Sequence, residues 1–242
     1  MPIQILAFGA HPDDVELYAG GTLAKLAAQG YSTGIIDMTR GELGSRGTPA
    51  IRAREAASSA RILGVKIREN LGLPDGFVRP DARSRLKVIR ALRKHRPPLV
   101  LVHHWDDRHP DHCNTSRLVT EACHHAGLAK IETHQERFRP SVILYFMLPA
   151  HSVPTLVVDV TDFAAKRRAA IEAYRSQLFD PASREPATYL SRPDFLAHVE
   201  SIHSFYGTLI GRAKGEGFWM RGVPEVPDLF AFAAGQSDNR FR

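Results

Sequence analysis

Apolar positions in the first half of the chain come in short continuous runs. Between them lie stretches where apolar residues recur every three or four positions. Ile3–Gly9 is an apolar, β-prone run, and Val15–Gln29 has helical periodicity. Thr33–Thr39 repeats the strand signal, and Ile51–Leu63 reads as a helix closed by Gly64 as its C′ residue. Val65–Leu71 reads as a third strand, and Asp81–His95 as a helix stopped by Pro97 and Pro98. Leu99–His103 is a continuous apolar strand, and Asp111–Ala126 a helix ended by Gly127. Strands separated by helices predict right-handed βαβ units, and so a Rossmann-like three-layer α/β fold with a mainly parallel sheet. The second half is less regular. Val142–Leu148 and Thr155–Val160 read as strands, and Phe163–Gln177 and Pro193–Tyr206 as helices. A tail with Gly211, Gly215, Gly217, Gly222, Pro224 and Pro227 reads as loop. With no internal repeat or low-complexity linker, residues 1–242 read as a single domain with a C-terminal elaboration.

Composition narrows the class. Hydrophobic residues at 43% and charged residues at 24% are ordinary for a folded globular chain. Two cysteines exclude a disulfide framework. No apolar run reaches the roughly 20 residues of a membrane span. No basic segment precedes the first apolar stretch as in a signal peptide, so a cytoplasmic, non-membrane protein is expected. The net charge of +6 admits an anionic substrate or a nucleic acid. The densest basic stretch, Arg83, Arg85, Lys87, Arg90, Arg93, Lys94 and Arg96, accompanies apolar Leu86, Ile89 and Leu92 and reads as a solvated helix face. With no recognition helix or ribbon, no nucleic-acid partner is expected.

Two motifs carry chemistry. His11-Pro12-Asp13-Asp14 follows the first strand and opens the first helix, and Asp107-Arg108-His109-Pro110-Asp111-His112 stands at the same kind of junction after the fourth strand. Ligands of open α/β sheets bind outside the carboxyl ends of the strands. Each motif alone could be polar helix capping. Together they bring His11, Asp14, His109 and His112 to one end of the sheet, a His/Asp set suited to Zn²⁺ with one position open for water. The first turn lacks the G-x-G-x-x-G spacing of a dinucleotide site, and no phosphate-binding P-loop is present.

HPDD near the N-terminus with HPDH about a hundred residues later resembles the LmbE/PIG-L family of zinc-dependent N-deacetylases. The segments ILAFGAHPDDVEL, GGTLAKLAAQGY, DMTRGELGSRGT, LGLPDG and Gly215-Glu216-Gly217-Phe218 look most like its bacillithiol-biosynthesis branch, which acts on N-acetylglucosaminyl-malate. The resemblance implies a hydrolase that holds one Zn²⁺ per chain, or another divalent ion, through His11, Asp14 and His112. It implies Asp13 as general base, against the alternative of a capping residue. His109 is implied to stabilise the oxyanion or protonate the leaving amine, against the alternative of a histidine that only orients the site. Arg52 matches a substrate-binding arginine. Arg108 either faces the substrate's anion or pairs with Asp106 or Asp107. An anionic amino-sugar conjugate is the expected substrate, and a homo-oligomer, trimer or hexamer, the expected assembly. The alternatives are a deacetylase of N-acetylglucosamine or chitooligosaccharide, and a metal-dependent sugar-binding module without activity.

One position departs from the family pattern. A tyrosine proposed to stabilise the oxyanion in some relatives aligns near Phe195, with Tyr189 close but out of register. Glu42 and Arg46 are candidate pocket wall, and Arg54 surface. His103 and His104 read as pocket lining, a layer behind it, or surface. Cys113 and Cys123 read as buried small hydrophobes, and His124 and His125 suit a helix C-terminus.

Overall fold

A computed structural model describes residues 2–235. Its strands are β1 (Ile5–Gly9), β2 (Thr33–Asp37), β3 (Ile67–Asn70), β4 (Leu99–His103), β5 (Val142–Phe146), β6 (Leu156–Asp159) and β7 (Gly215–Met220). The helices are α1 (Asp14–Ala28), α2 (Pro49–Leu63), α3 (Ala82–His95), α4 (Pro110–His125), α5 (Ala164–Glu172), α6 (Phe195–Leu209) and α7 (Leu229–Ala234). The strands form one sheet in the order β3-β2-β1-β4-β5-β7-β6. The first five run parallel, and β7 is antiparallel to both β5 and β6. The expected three-layer α/β architecture is therefore present. Chain order reverses between β1 and β4, which places the switch-point crevice between the two strands that carry the motifs.

The continuous apolar runs have a physical cause, because both faces of the central strands are covered. Leu6, Phe8, Val100 and Val102 pack with α3 and α4 residues such as Leu92 and Leu118. Ile5, Ala7 and Leu101 pack with α1 and α5 residues such as Leu23 and Ala170. Thr48 and Asp81 cap α2 and α3 with their side chains, accepting from Ile51 N and Ser84 N. Among the described residues no helix is long and apolar enough to cross a membrane.

Three expectations change. The tail read as loop contains β7, which fills the sheet between β5 and β6. Its Gly-Glu-Gly start lacks β-branched residues because there is no room for them. A Cβ on Gly217 would stand 2.8 Å from the Tyr206 ring. Glu216, between the two glycines, is buried and accepts from the backbone N–H groups of Gly21 and Thr22 in α1 at 2.8 and 2.7 Å. The helix expected to run to Gln177 stops at Glu172. The chain then turns so that the Tyr174 hydroxyl donates to Glu16 and Ser176 N donates to Glu55, both at 2.8 Å. The basic stretch on α3 is a solvated face at Arg83, Arg90 and Lys94, while Arg85 and Lys87 are half-buried and Arg93 is not on that face. That residue is buried, with its guanidinium donating to the carbonyls of Ala126, Leu128 and Ile131 past the end of α4.

Candidate metal centre and cavity

The two motifs meet over a cavity of about 750 Å³ at the carboxyl ends of β1 and β4. His11 and Asp14 come from the tight β1–α1 turn, closed by the His11 backbone N–H donating to Asp14 Oδ2 at 2.7 Å. His112 comes from the first turn of α4. Asp14 lies between the two imidazoles, with Oδ2 3.4 Å from His11 Nδ1 and Oδ1 3.4 Å from His112 Nε2. Ligand atoms held tetrahedrally at the ~2.0–2.1 Å of zinc–nitrogen and zinc–oxygen bonds stand about 3.3–3.4 Å apart. One ligand atom from each of His11, Asp14 and His112 lies within 4.8 Å of the other two, close enough for a small closure of the side chains around a divalent ion.

Each histidine has a carboxylate close to its far nitrogen. Asp107 Oδ2 is 3.2 Å from His112 Nδ1, and Asp75 Oδ1 is 3.1 Å from His11 Nε2. Such outer carboxylates set the ring's orientation and tautomer. A second grouping, His11, His109 and Asp111, is also compact. Its Asp111 oxygens accept from Gly76 N at 2.7 Å and Val78 N at 3.2 Å, which ties Asp111 to the turn after β3, with Oδ2 3.5 Å from His11 Nε2.

Asp13 holds the N-cap position of α1, but its side chain accepts nothing from the helix. Its φ of 119° is a left-handed conformation that non-glycine residues rarely take. The carboxylate instead meets Arg52 Nη2 at 3.0 Å, and both groups are 5% exposed. Burial pushes the Asp13 carboxyl up to about 7, and the Arg52 charge opposes that rise. His109 is the N-cap of α4, its Nδ1 accepting the Asp111 N–H at 3.2 Å. That bond leaves the proton of the neutral ring on Nε2, so the donor His109 offers the cavity is Nε2–H. Burial and the charges of His11 and His112 hold it below the usual histidine range, in the neutral form.

The arginines part company. Arg52 lines the cavity yet is bonded inside the protein, to Asp13 and, at 2.5 Å, to the Pro12 carbonyl. Its guanidinium fills the space beside Gly41, where a Cβ would stand 1.9 Å from Nη1. Arg108 pairs with neither Asp106 nor Asp107. Its guanidinium lies over the Tyr189 ring at 4.2 Å, on the cavity wall. Tyr189 stands edge-on to Phe195 at 5.4 Å, so a phenol lies beside the position that lacks one.

Glu42 and Arg46 are not wall residues; Leu43, Gly44 and Ser45 between them are. Glu42 accepts from Arg40 N and Asp75 N, and Arg46 donates to the carbonyls of Ser176 and Leu178. Arg54 is exposed as expected. His103 is fully buried behind the trio, stacked on His112 at 4.2 Å, and burial and His112 push it down to about 4. Cys123 is buried, which pushes its thiol up to about 12, while half-buried Cys113 donates to the Asp107 carbonyl. Sequence reasoning gave no role to Asp75, Tyr18 or Gln177. Asp75 had a signal: a Pro-Asp-Gly turn at the carboxyl end of a third parallel strand.

The two histidines of the trio hold protons more tightly than free imidazoles, while Asp14 between them is held well below its ordinary range, against its burial, by their charges. Burial alone would lower His112, but Asp14 and Asp107 outweigh it and raise it to about 9. His11 rises well above its usual value for the same kind of reason: burial is outweighed by Asp111, Asp14 and Asp75. Both rings hold their protons near neutrality, and an incoming cation must displace them. Metal affinity is expected to rise steeply with pH, with close to two protons released per ion. Calorimetry in buffers of different ionisation enthalpy measures this. An affinity that stays flat between about pH 6 and pH 8 would contradict the protonated pair.

Comparison with known proteins agrees with this picture. The family model described as PIG-L, GlcNAc-PI de-N-acetylase, matches residues 6–123. The chain is 28% identical over 243 residues to the diacetylchitobiose deacetylase of Thermococcus kodakarensis, covering 92% of this chain and 84% of that one. It is 27% identical to the 1D-myo-inositol 2-acetamido-2-deoxy-alpha-D-glucopyranoside deacetylase of Segniliparus rotundus, covering 70% and 75%. The crystal structure of the conserved protein TT1542 from Thermus thermophilus superposes with a TM-score of 0.84 at 38% identity, covering 93% of this chain and 98% of that one.

Proposed function

The chain belongs to the PIG-L family of deacetylases, and from that membership we propose that it hydrolyses the N-acetyl group of an N-acetylglucosaminyl conjugate, with zinc held by His11, Asp14 and His112. The observation that carries this reading is Asp13, a buried carboxylate that caps nothing, one residue from a ligand set of the right spacing. Zinc bound there supplies Lewis-acid polarisation of the acetyl carbonyl and lowers the pKa of water toward about 7. Asp13 accepts the proton of the attacking water, and Arg52 holds that carboxylate in place and opposes the burial that favours its protonated form. His109 Nε2–H donates to the oxygen on which charge develops. The proton then passes from Asp13 to the departing nitrogen, giving acetate and a free amine.

The substrate is proposed to be anionic, in particular N-acetyl-glucosaminyl-L-malate of bacillithiol biosynthesis. Arg108 supports this, because among the described residues its charge on the cavity wall meets only an aromatic face. The neutral alternative has support of its own, since the Thermococcus relative is named for diacetylchitobiose. Acetate release from N-acetylglucosaminyl-malate, diacetylchitobiose and N-acetylglucosamine, side by side, tests the reading. Release from none by the zinc-loaded protein would leave a binding module.

The same panel separates the arginines. Arg108→Ala is expected to lower kcat/KM on the malate conjugate by about ten- to a hundredfold, the worth of a charge-assisted hydrogen bond, and to spare the neutral sugars. Arg52→Ala is expected to lower kcat on all of them, because Asp13 loses its counter-charge. Equal losses from Arg108→Ala on every substrate would mean that it does not read the anion.

A further inference from the structure

Gln177 lines the cavity, is 7% exposed, and has no part in the chemistry above. Its amide Nε2 donates to the Arg46 carbonyl at 2.9 Å and to Ser176 Oγ at 2.9 Å. Both acceptors are unambiguous. The carbonyl has no proton to give, and Ser176 Oγ donates its own to Glu55 Oε2 at 2.7 Å. The amide cannot be turned over, so its nitrogen faces the protein. The surroundings hold it from both sides. Glu55 accepts from Ser176 N at 2.8 Å, and Arg46 Nε donates to the Ser176 carbonyl at 3.0 Å. Gln177 Oε1 accepts no hydrogen bond among the described residues, and it is not sealed from solvent.

A buried amide on the cavity lining, with both N–H groups spent and an oxygen that meets no donor among the described residues, is a fixed acceptor that waits for a donor. The donors around an amino-sugar ring are its hydroxyls. We propose that Gln177 is a specificity-determining residue whose Oε1 accepts a hydrogen bond from one ring hydroxyl of the bound N-acetyl amino sugar. This rests on the function proposed above. Because the amide is held before substrate arrives, little freedom is lost on binding. A site built to pair a hydroxyl rejects the analogue that lacks it more strongly than an apolar pocket rejects an extra group.

The test compares methyl N-acetylglucosaminide with its 3-, 4- and 6-deoxy forms on the zinc-loaded wild type, Gln177→Leu and Ser176→Ala. Acetate release, metal content and thermal midpoint are followed. The wild type is expected to lose about tenfold or more in kcat/KM on one deoxy sugar. Gln177→Leu should treat that sugar and its parent alike and keep the wild-type pattern at the other positions. Ser176→Ala removes one of the two acceptors that orient the amide, and should show the same change in smaller degree. If Gln177→Leu fails to fold, seen as lost metal and a lowered midpoint, Ser176→Ala decides alone. A wild type indifferent to all three hydroxyls, or variants that slow every sugar by one factor, would reduce Gln177 to a loop staple and overturn the assignment. A wild type that releases acetate from no N-acetylglucosaminide would instead overturn the proposed function, and the assignment with it.

Discussion

Asp14→Asn is expected to strip the protein of its ion. Purified wild type should carry about one divalent ion per chain, as an open three-ligand site does. The variant should carry almost none after dialysis, and its turnover should fall in proportion. The reason lies in how Asp14 is used. Its two oxygens face His11 and His112 at 3.4 Å each, so one carboxylate is the hub of the whole set. Asparagine keeps the shape but replaces a charged oxygen pair with one neutral oxygen and an NH₂ that repels a cation. Even an outer hydrogen-bond partner of a metal ligand is worth about 10–100-fold in affinity, so loss of the hub should exceed that. His11→Ala and His112→Ala should lose the ion as well. Metal analysis beside the thermal midpoint separates site loss from unfolding. Full occupancy in Asp14→Asn would remove it from the ligand set.

The set that contains this trio, His11, Asp14, His109 and His112, is legible in the sequence because the rule that exposes it is topological; the choice of His112 over His109 comes from the family resemblance. Strand–helix alternation predicted parallel βαβ units, and parallel units put strand ends at one edge. Two His/Asp motifs after two such strands had to meet if the strands were neighbours, and β1 and β4 are. What stayed hidden depends on contacts that no period encodes. β7 is a strand because Gly217 lets the Tyr206 ring close on it and Glu216 reaches the backbone of α1. A glycine-rich run looks like a loop until its neighbours are known. The end of α5 is set by where Tyr174 and Ser176 find partners across the chain in Glu16 and Glu55, far from any local stop signal. Arg52 and Arg108 illustrate the same limit. The family resemblance points to Arg52 as substrate-binding, and the place of Arg108 beside His109 leaves open an anion or an Asp106 or Asp107 partner, yet Arg52 is bonded to Asp13 within the fold and Arg108 lies on an aromatic wall.

Asp13→Asn is expected to do the opposite of its neighbour. The ion should stay, and kcat should fall by about 10²–10⁴-fold, the usual contribution of a positioned base. Composition alone predicts equal effects for two adjacent aspartates; the structure does not. Asp13 is outside the ligand set, and its carboxylate faces Arg52. Asparagine is the right probe because it tolerates the left-handed conformation at φ 119° better than alanine. It also leaves Arg52 a carbonyl to donate to, besides that of Pro12. KM should change little, since the two side chains are nearly isosteric. Burial raises the Asp13 carboxyl, and a base works only when deprotonated, so wild-type kcat/KM should fall as pH drops through its pKa. That limb reports Asp13 together with the groups that titrate around it, and in the residual activity of Asp13→Asn it should be displaced to the pH at which the metal is lost. Metal content, kcat and the pH profile, taken together on both variants, decide the roles. If Asp13→Asn loses the ion while Asp14→Asn keeps it, the two are reversed. If Asp13→Asn keeps both the ion and near-normal turnover, the base is another group, and His109, whose Nδ1 would then have to give up the Asp111 N–H, is the first to test.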